Sequence, residues 1–417
     1  MQNLIVVGLG YIGLPTAAVF AEAGFQVAGV DVSPVAVDAI NEGRAHIFEP
    51  GLDQLVKEVV TSGNLSAGLE PKPADSFIIA VPTPFTGDHE PDLTFVKAAS
   101  EAIAPHLVAG NLIVLESTSP IGATEKVAAW IQQLRPDLKM PTNGEAGDIF
   151  IAYCPERVLP GKILHEIKNN DRLLGGLSVS CAERAVELYS KIASGHCHTT
   201  TARTAELAKL SENAFRDVNI AFANELSVIA DRYEIDVREL IRLANLHPRV
   251  DILQPGPGVG GHCIAVDPWF IVDSAPDAAS LIKQARLTND AKPAWVVDKV
   301  LAAIEDRASP TIACLGLAYK PDIDDLRESP AIEVVKQLRA RTDARMVVVE
   351  PNVRTLPTQL ADCDVELIGL EQALDLASTV VLLVSHSEFL ALDVDTFAGI
   401  AVIDTVGILD SLARLQA

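Results

Sequence analysis

The chain of 417 residues contains no uninterrupted apolar run of about 18 residues, the length a membrane-spanning helix needs, so no membrane partner is expected. Its opening stretch, "MQNLIVVGLGYIG", lacks a basic segment and a cleavage site and reads directly as a strand, so no signal peptide is expected. Its six cysteines (Cys154, Cys181, Cys197, Cys263, Cys314 and Cys363) form no CxxC pair. That excludes a disulfide framework and points to a reducing, cytoplasmic compartment. "GHCH" at Gly195–His198 has no second His/Cys cluster beside it, so no metal is expected. Positive charge is scarce: 33 Lys and Arg stand against 56 Asp and Glu, a formal net charge of −23. Nucleic acid and anionic membranes are thereby excluded as general partners, whereas an anionic small molecule can still be held by a few local cations. Apolar residues are plentiful at 49%, enough for two or three well-filled domains.

Strands and helices alternate in roughly the first 195 residues. "LIVVG" at 4–8 is a short, β-branched apolar run of the kind buried in a parallel sheet. "YIGLPTAAVFAEAG" follows with helical spacing and ends at Gly24, and "FQVAGVDVS" supplies the second strand. Further strands are predicted at "SFIIAVPTP", "NLIVLESTS" and "GDIFIAYCP". From about Arg203 the pattern changes to "ARTAELAKLSENAFRDVNIAFANELSVIADRY", one long helix without Gly or Pro. "DVRELIRLANL" predicts a shorter helix, and another long one is predicted over about 278–306. After Pro310 strands return at "TIACLGLA", "RMVVVEP", "STVVLLVS" and "IAVID". This last region has Gly316 in its first turn but no GxGxxG, so no second dinucleotide is expected there.

Gly8-Leu9-Gly10-Tyr11-Ile12-Gly13 is a GxGxxG placed between a predicted strand and a predicted helix, as a dinucleotide fingerprint requires. Gly8 serves the tight turn, Gly10 lets backbone amides meet a pyrophosphate, and Gly13 lets helix and strand pack closely. Asp31 ends the second strand, where an acid binds the ribose 2′-hydroxyl and repels a 2′-phosphate. NAD is the expected cofactor and hydride transfer the expected chemistry. The fold class is α/β, with two Rossmann-like doubly wound sheet domains joined by a helical central region. The expected boundaries are 1–200, 201–307 and 308–417.

"GPGVGGHCIAVDPWF" at 256–270 surrounds Cys263 with glycines and sets Asp267 before a proline, which predicts a rigid, non-helical elbow. Two readings stand side by side: a buried structural thiol in a tight turn, or a nucleophile. A thiol is useful to a dehydrogenase when an aldehyde must be oxidised again. The thiolate adds to the aldehyde, a second hydride departs, and water releases a carboxylate from the thioester. Such a route needs a cation or donor for the oxyanion and a group that steers the water. Lys209 and Asn213 share one face of the long helix, with Arg216 nearly in line. The alternative for Lys209 is a solvated position on an exposed stripe.

In chain order the motifs are the fingerprint, "VPTP" at 81–84, "ESTSPIGATE" at 116–125 and "YCPERVLPGKIL" at 153–164. They continue with "AELAKLSENAFRDVNIAFANE", "HPRV" at 247–250, the cysteine loop and "GLAYKPDIDDLRESP" at 316–330. Together they resemble the nucleotide-sugar 6-dehydrogenases, whose members include UDP-glucose and GDP-mannose dehydrogenases, over essentially the whole chain. The cysteine loop carries His262 where those two branches have serine, and Val266 where they have lysine. It looks instead like the branch acting on N-acetylated UDP-hexosamines. The substrate this implies is UDP-N-acetyl-D-mannosamine, with UDP-N-acetyl-D-glucosamine as the alternative. A single-hydride hydroxyacid dehydrogenase with a structural Cys263 is the alternative of another class.

The resemblance implies Cys263 as nucleophile, Lys209 as acid/base or oxyanion stabiliser, Asn213 as its helper and Asp267 as an orienting group or proton acceptor. Thr118 and Glu156 are implied near the nicotinamide and the hydrolytic water. Cofactor positions are Tyr11, Ile12, Asp31, Thr83, Thr118 and Arg327. Substrate positions are Arg157, Val158, Lys209, Asn213, Arg216, His247, Arg249, Gly260, Tyr319 and Lys320. Arg and Lys suit a diphosphate. His247 also reads as a turn residue before Pro248. The resemblance further implies a homodimer with Arg249 acting across its interface, and a C-terminal UDP-sugar-binding domain.

Overall fold

The computed structural model describes residues 2–87, 89–142, 144–261 and 263–415. It consists of two compact units, Met1–Glu212 and Asn213–Ala417. No helix among the described residues is long and apolar enough to cross a membrane.

The first unit carries β1 (Asn3–Val7), β2 (Gln26–Val30), β3 (Leu65–Gly68), β4 (Ser76–Ile79), β5 (Phe85–Thr86) and β6 (Glu90–Pro91). β7 (Leu112–Leu115), β8 (Phe150–Tyr153), β9 (Arg172–Gly176) and β10 (Cys197–Thr201) follow. Eight of these form one sheet in the order β10-β9-β8-β7-β4-β1-β2-β3, while β5 and β6 make a separate hairpin. The pairs from β8 to β3 are parallel, the β8–β9 pair is antiparallel, and β9–β10 is parallel again. β1 is buried from Leu4 to Val7 because both faces are covered. Leu4 and Val6 belong to one apolar core and Ile5 and Val7 to the other, as the two-residue period of a strand dictates. The Gly13–Glu22 helix packs on the first of these faces, with the Phe20 ring edge-on to Tyr189 at 5.7 Å.

The strands β3, β9 and β10 are not predicted by the sequence. β10, "CHTTT", is a half-exposed edge strand in which threonines replace the apolar run, so its only local signal is β-branching.

The long helix, Ala202–Arg232, starts in the first unit and continues into the second. The second unit adds helices Val237–Ala244, Asp267–Ser274, Ser280–Ile304 and Pro330–Arg341. Its sheet is β11 (Thr311–Leu315), β12 (Arg345–Val349), β13 (Glu366–Leu367), β14 (Thr379–Leu382) and β15 (Ala401–Asp404), all parallel in the order β13-β12-β11-β14-β15. Ile312 and Cys314 face one core and Ala313 and Leu315 the other. Both sheets are thus wound on two faces, which is the expected α/β class.

One local expectation fails. Asp267 is not part of a non-helical elbow but the first residue of a helix, with Pro268 in its opening turn. Proline costs nothing there, because the amide it lacks has no partner within the helix anyway.

Candidate active site

In the first unit the fingerprint turn is a matter of steric necessity. Gly8 has φ +91°, and a Cβ on it would lie 2.6 Å from the Ala80 carbonyl oxygen. A Cβ on Gly13 would lie 1.8 Å from the Gly8 carbonyl oxygen. Nothing stands within 4 Å of the corresponding point on Gly10, so the middle of the turn is a bare cradle at the start of the Gly13–Glu22 helix. The Asp31 carboxylate accepts the Leu9 amide at 2.9 Å and the Ser33 amide at 2.9 Å. Beside it Val32 is 95% exposed. An open glycine cradle, a helix N-terminus and a strand-end acid fit a pyrophosphate and ribose. Tyr11 is exposed, and Ile12 caps the helix. Thr83 donates its hydroxyl to the Thr118 carbonyl at 2.5 Å, so these two cofactor candidates are joined.

Glu156 follows β8. Its carboxylate accepts the Arg157 amide at 2.8 Å and faces the Arg172 guanidinium at 3.4 Å. Arg157 pairs with Glu212 at 2.9 Å and donates to the Asp171 carbonyl at 3.2 Å. Val158 packs against the core below. Two acids that sequence reasoning passed over hold this neighbourhood. Buried Glu49 accepts the amides of Gly161 and Ile163, each at 2.8 Å, and so fixes the loop after Val158. Buried Glu206 accepts the amides of Gly122 and Thr124 at 2.7 and 2.8 Å and the Thr124 hydroxyl at 2.6 Å. It thereby caps the Ala123–Leu134 helix with a residue from the long helix, and burial raises its pKa despite these donors. Lys209, one turn further along the same helix, is 6% exposed and not on a solvated stripe.

In the second unit the Cys263 carbonyl accepts the amides of Val266 at 3.1 Å and Asp267 at 2.8 Å, a turn that leads straight into the Asp267–Ser274 helix. Asp267 is 1% exposed, and its carboxylate accepts the Asn213 side-chain amide at 2.5 Å. Cys263 itself is exposed, whereas Cys154, Cys181 and Cys314 are buried, and burial pushes the Cys154 and Cys314 thiols up to about 12. The structural-thiol reading therefore suits Cys154 and Cys314 and not Cys263.

The glycines of this loop answer to what lies beneath them. A Cβ on Gly260 would meet the Glu328 carbonyl oxygen at 2.4 Å, and one on Gly261 (φ +86°) would meet the Tyr319 ring at 2.7 Å. The Gly261 amide donates to the Arg327 carbonyl at 3.2 Å. The loop thus lies flush on the "GLAYKPDIDDLRESP" segment. Burial, then the charges of Asp325 and Cys263, raise the Tyr319 phenol. Arg327 is held by Asp325 at 2.5 to 3.1 Å. At its start the loop is tied to both long helices. The Gly256 amide donates to Asn224, Asn224 to Asn289, and Asn289 and Arg286 to Asp217, all at 2.6 to 2.9 Å.

Asn213, Gly260, Cys263, Asp267, Tyr319 and Arg327 are therefore brought into one connected group. Arg216 lies exposed on the long helix and Lys320 at the surface beyond β11. His247 and Arg249 occupy an exposed turn in which His247 Nδ1 accepts the Arg249 amide at 3.4 Å. His262 lies outside the described residues. His198, from the "GHCH" stretch, faces Asp171 at 3.0 Å on the surface.

Three domain families match in sequence. The NAD-binding domain of the UDP-glucose/GDP-mannose dehydrogenase family covers residues 2–193, its central domain 203–291 and its UDP-binding domain 313–411. The chain is 56% identical over 407 residues to an NDP-N-acetyl-D-galactosaminuronic acid dehydrogenase of Ralstonia nicotianae, covering 97% of this chain and 96% of that protein. It is also 56% identical over 397 residues to a UDP-N-acetyl-D-mannosamine dehydrogenase of Campylobacter jejuni, covering 94% and 98%. The solved UDP-D-ManNAc dehydrogenase of Pyrococcus horikoshii superposes with a TM-score of 0.88 at 38% identity, covering 98% of this chain and 96% of that one. With a cofactor cradle, an exposed loop thiol and full-length matches of this kind, the chain belongs to the UDP-glucose/GDP-mannose dehydrogenase family.

Proposed function

We propose that the protein oxidises C6 of UDP-N-acetyl-D-mannosamine to the carboxylate of UDP-N-acetyl-D-mannosaminuronate, consuming two NAD⁺ and one water. Relatives named for that substrate at 54–56% identity support the reading. The observation that carries it is the exposed Cys263, set one turn before a buried Asp267 that grips Asn213.

NAD, when bound, would supply the hydride acceptor for each of the two oxidations. Gly8, Gly10, Gly13 and Asp31 would hold it, with Tyr11, Ile12, Thr83, Thr118 and Arg327 at its margins. Once C6 is an aldehyde, the Cys263 thiolate adds to that carbon. A C–S bond forms and the carbonyl electron pair moves to oxygen. The Lys209 ammonium and the Asn213 amide stabilise this oxyanion, and Asp267 fixes the amide's direction. After the second oxidation the carbon is a thioester. Water adds to it and loses a proton to Glu156, then the C–S bond breaks and its electron pair returns to sulfur, freeing the carboxylate. Arg157, Arg216, Arg249 and Lys320 supply cations for the diphosphate, and Val158, His247, Gly260 and Tyr319 complete the substrate's surroundings. In this reading residues 1–200 bind NAD, 201–307 provide the central helical domain, and 308–417 bind the UDP-sugar. The scattered, unbridged cysteines support a reducing, cytoplasmic setting, where the uronate would serve polysaccharide biosynthesis.

The test is stoichiometry. Wild type should form two NADH per sugar consumed, and Cys263→Ser should lose uronate formation by at least about 1000-fold. One NADH per sugar, or an unimpaired serine variant, overturns the reading. The relatives named for N-acetylgalactosaminuronate, also at 56% identity, support the galacto epimer as a second substrate reading. Comparison of kcat/KM across the manno, gluco and galacto UDP-N-acetylhexosamines decides among them.

A homodimer, with Arg249 acting across its interface, is the proposed assembly. Phe215, Phe222 and Ile229 recur every seven residues on the long helix and are 73%, 52% and 46% exposed, an apolar stripe that suits a second copy. A monomer by light scattering removes this proposal, and Phe222→Glu should convert a dimer to monomers.

A further inference from the structure

A buried polar cluster in the first unit contains two carboxylates and a single guanidinium, and the chemistry above uses only one of them. Arg172, at the start of β9, is 5% exposed. One of its terminal nitrogens faces Glu156 at 3.4 Å and the Cys154 sulfur at 3.7 Å. The other donates to the Ile167 carbonyl at 3.0 Å, and the guanidinium lies 5.1 Å from the Tyr189 ring centre. Tyr189 donates its hydroxyl to Glu116 at 2.6 Å, and Thr16, on the fingerprint helix, donates to the other Glu116 oxygen at 3.3 Å. Glu116 is 1% exposed and opens the loop that carries Thr118. The groups that face Glu116 come from four elements: Thr16 from the Gly13–Glu22 helix, Tyr189 from the Val179–Tyr189 helix, Arg172 from β9, and Cys154 and Glu156 from the end of β8.

With both carboxylates ionised the cluster carries a net charge of −1, which is costly where water is excluded. One guanidinium cannot fully satisfy both. Cys154 offers no relief, since burial keeps its thiol neutral. We infer that Glu116 is a positioning residue for the hydrolytic step: by gaining or losing its own proton it sets how strongly Arg172 holds Glu156, and so how good a base Glu156 is. The inference rests on the proposed role of Glu156 as acceptor of the water's proton.

Burial first, and the Glu156 charge second, push Glu116 up to about 7, with Arg172, Tyr189 and Thr16 opposing. Below that pH Glu116 is neutral, Arg172 is left to Glu156 alone, and Glu156 is a weaker base. Above it Glu116 is ionised, shares the guanidinium's field, and makes Glu156 a stronger base. Thioester hydrolysis in wild type should therefore speed up about threefold between pH 6 and pH 8.

The measurement is the decay of the acyl-Cys263 enzyme, followed by rapid quench and mass analysis across that pH range. Glu116→Gln is isosteric, keeps an acceptor for Tyr189, and fixes the neutral state. It should match wild type at pH 6, fall about threefold below it at pH 8, and show no rise between. Tyr189→Phe removes a donor to the ionised carboxylate and should move the midpoint of the rise to higher pH. Glu156→Gln serves as the control, with decay slowed about 100-fold if Glu156 is the base. A slow Glu156→Gln with a wild-type pH rise in Glu116→Gln overturns the inference and leaves the role of Glu156 intact. An unmoved midpoint in Tyr189→Phe overturns it too, as does an effect of Glu116→Gln confined to NAD affinity. Wild-type decay in Glu156→Gln removes both.

Discussion

After β1, Gly8 donates its amide to the Val30 carbonyl and Leu9 donates to the Asp31 carboxylate; after β11, Gly316 donates to Val349 and Leu317 to Glu350. Both glycines are left-handed, at φ +91° and +95°. The two sheets thus open with one device, a glycine turn latched by an acid just past the neighbouring strand. They differ in how the rest of each turn is occupied. Asp31 takes one amide of its turn, and the next glycine, Gly10, is bare for 4 Å. Glu350 is one methylene longer and takes two, from Leu317 at 2.7 Å and Ala318 at 2.9 Å, and buried His386 closes over it at 3.0 Å. The first turn leaves donors for a pyrophosphate, and the second has consumed its own. A glycine after a strand is therefore poor evidence of a nucleotide, and the residues that next occupy the turn decide the matter.

The sharpest way to break this comparison is to add one methyl group to each turn. Gly13→Ala places a Cβ 1.8 Å from the Gly8 carbonyl oxygen, so the helix start must move away from the cradle. Gly316→Ala places one 2.4 Å from Val384 Cβ in a left-handed backbone. Both should destabilise by about 2–4 kcal/mol. Only Gly13→Ala should also weaken NAD, by about 100-fold or more, with Gly316→Ala within about twofold of wild type. Thermal unfolding and calorimetric NAD titration read the two effects separately. Equal losses of NAD affinity would erase the distinction between the turns.

The same contrast explains what is legible in the sequence. "LIVVG" followed by GxGxxG announces its strand, turn and helix through composition alone, and the long helix announces itself through thirty-one residues, Ala202–Arg232, without Gly or Pro. Cys263 stands out because two adjacent glycines precede His262 in front of it. Partners that meet only in three dimensions leave no such mark. Glu49 latching Gly161 and Ile163, Glu206 capping the Ala123–Leu134 helix, and Arg172 between Glu116 and Glu156 each read locally as a charged residue on a surface. Glu116 lies inside the "ESTSPIGATE" motif, yet nothing adjacent to it discloses burial. The elbow expected at Asp267 fails because the steric rule for residues before proline is a bias and not a bar, and in the first turn of a helix the amide that Pro268 lacks has no intrahelical partner to lose.

The smaller test concerns charge in the closed turn. His386 Nδ1 accepts the Asp322 amide at 3.0 Å and faces the Asn352 amide group at 3.2 Å, so its ring proton sits on Nε2 and points at Glu350. Burial alone would raise Glu350, but the His386 hydrogen bond and the amides of Leu317 and Ala318 outweigh it and hold the carboxyl below the ordinary glutamate range. A carboxyl lowered on folding contributes stability that is complete above its unfolded value, about 4.3, and is lost as pH falls through the folded value. One Glu350 oxygen accepts the Leu317 and Ala318 amides and the His386 proton. Glu350→Gln must therefore put its NH2 where the other oxygen accepts the Asn352 backbone and side-chain amides at 3.1 and 3.2 Å, giving up those bonds and the negative charge. It should cost about 1–2 kcal/mol at pH 7, and the gap from wild type should close as denaturation is repeated toward pH 3.5. A gap that stays constant over that range would mean the second turn is shut by shape alone. The difference between the two turns would then lie in the extra methylene and not in the charge it carries.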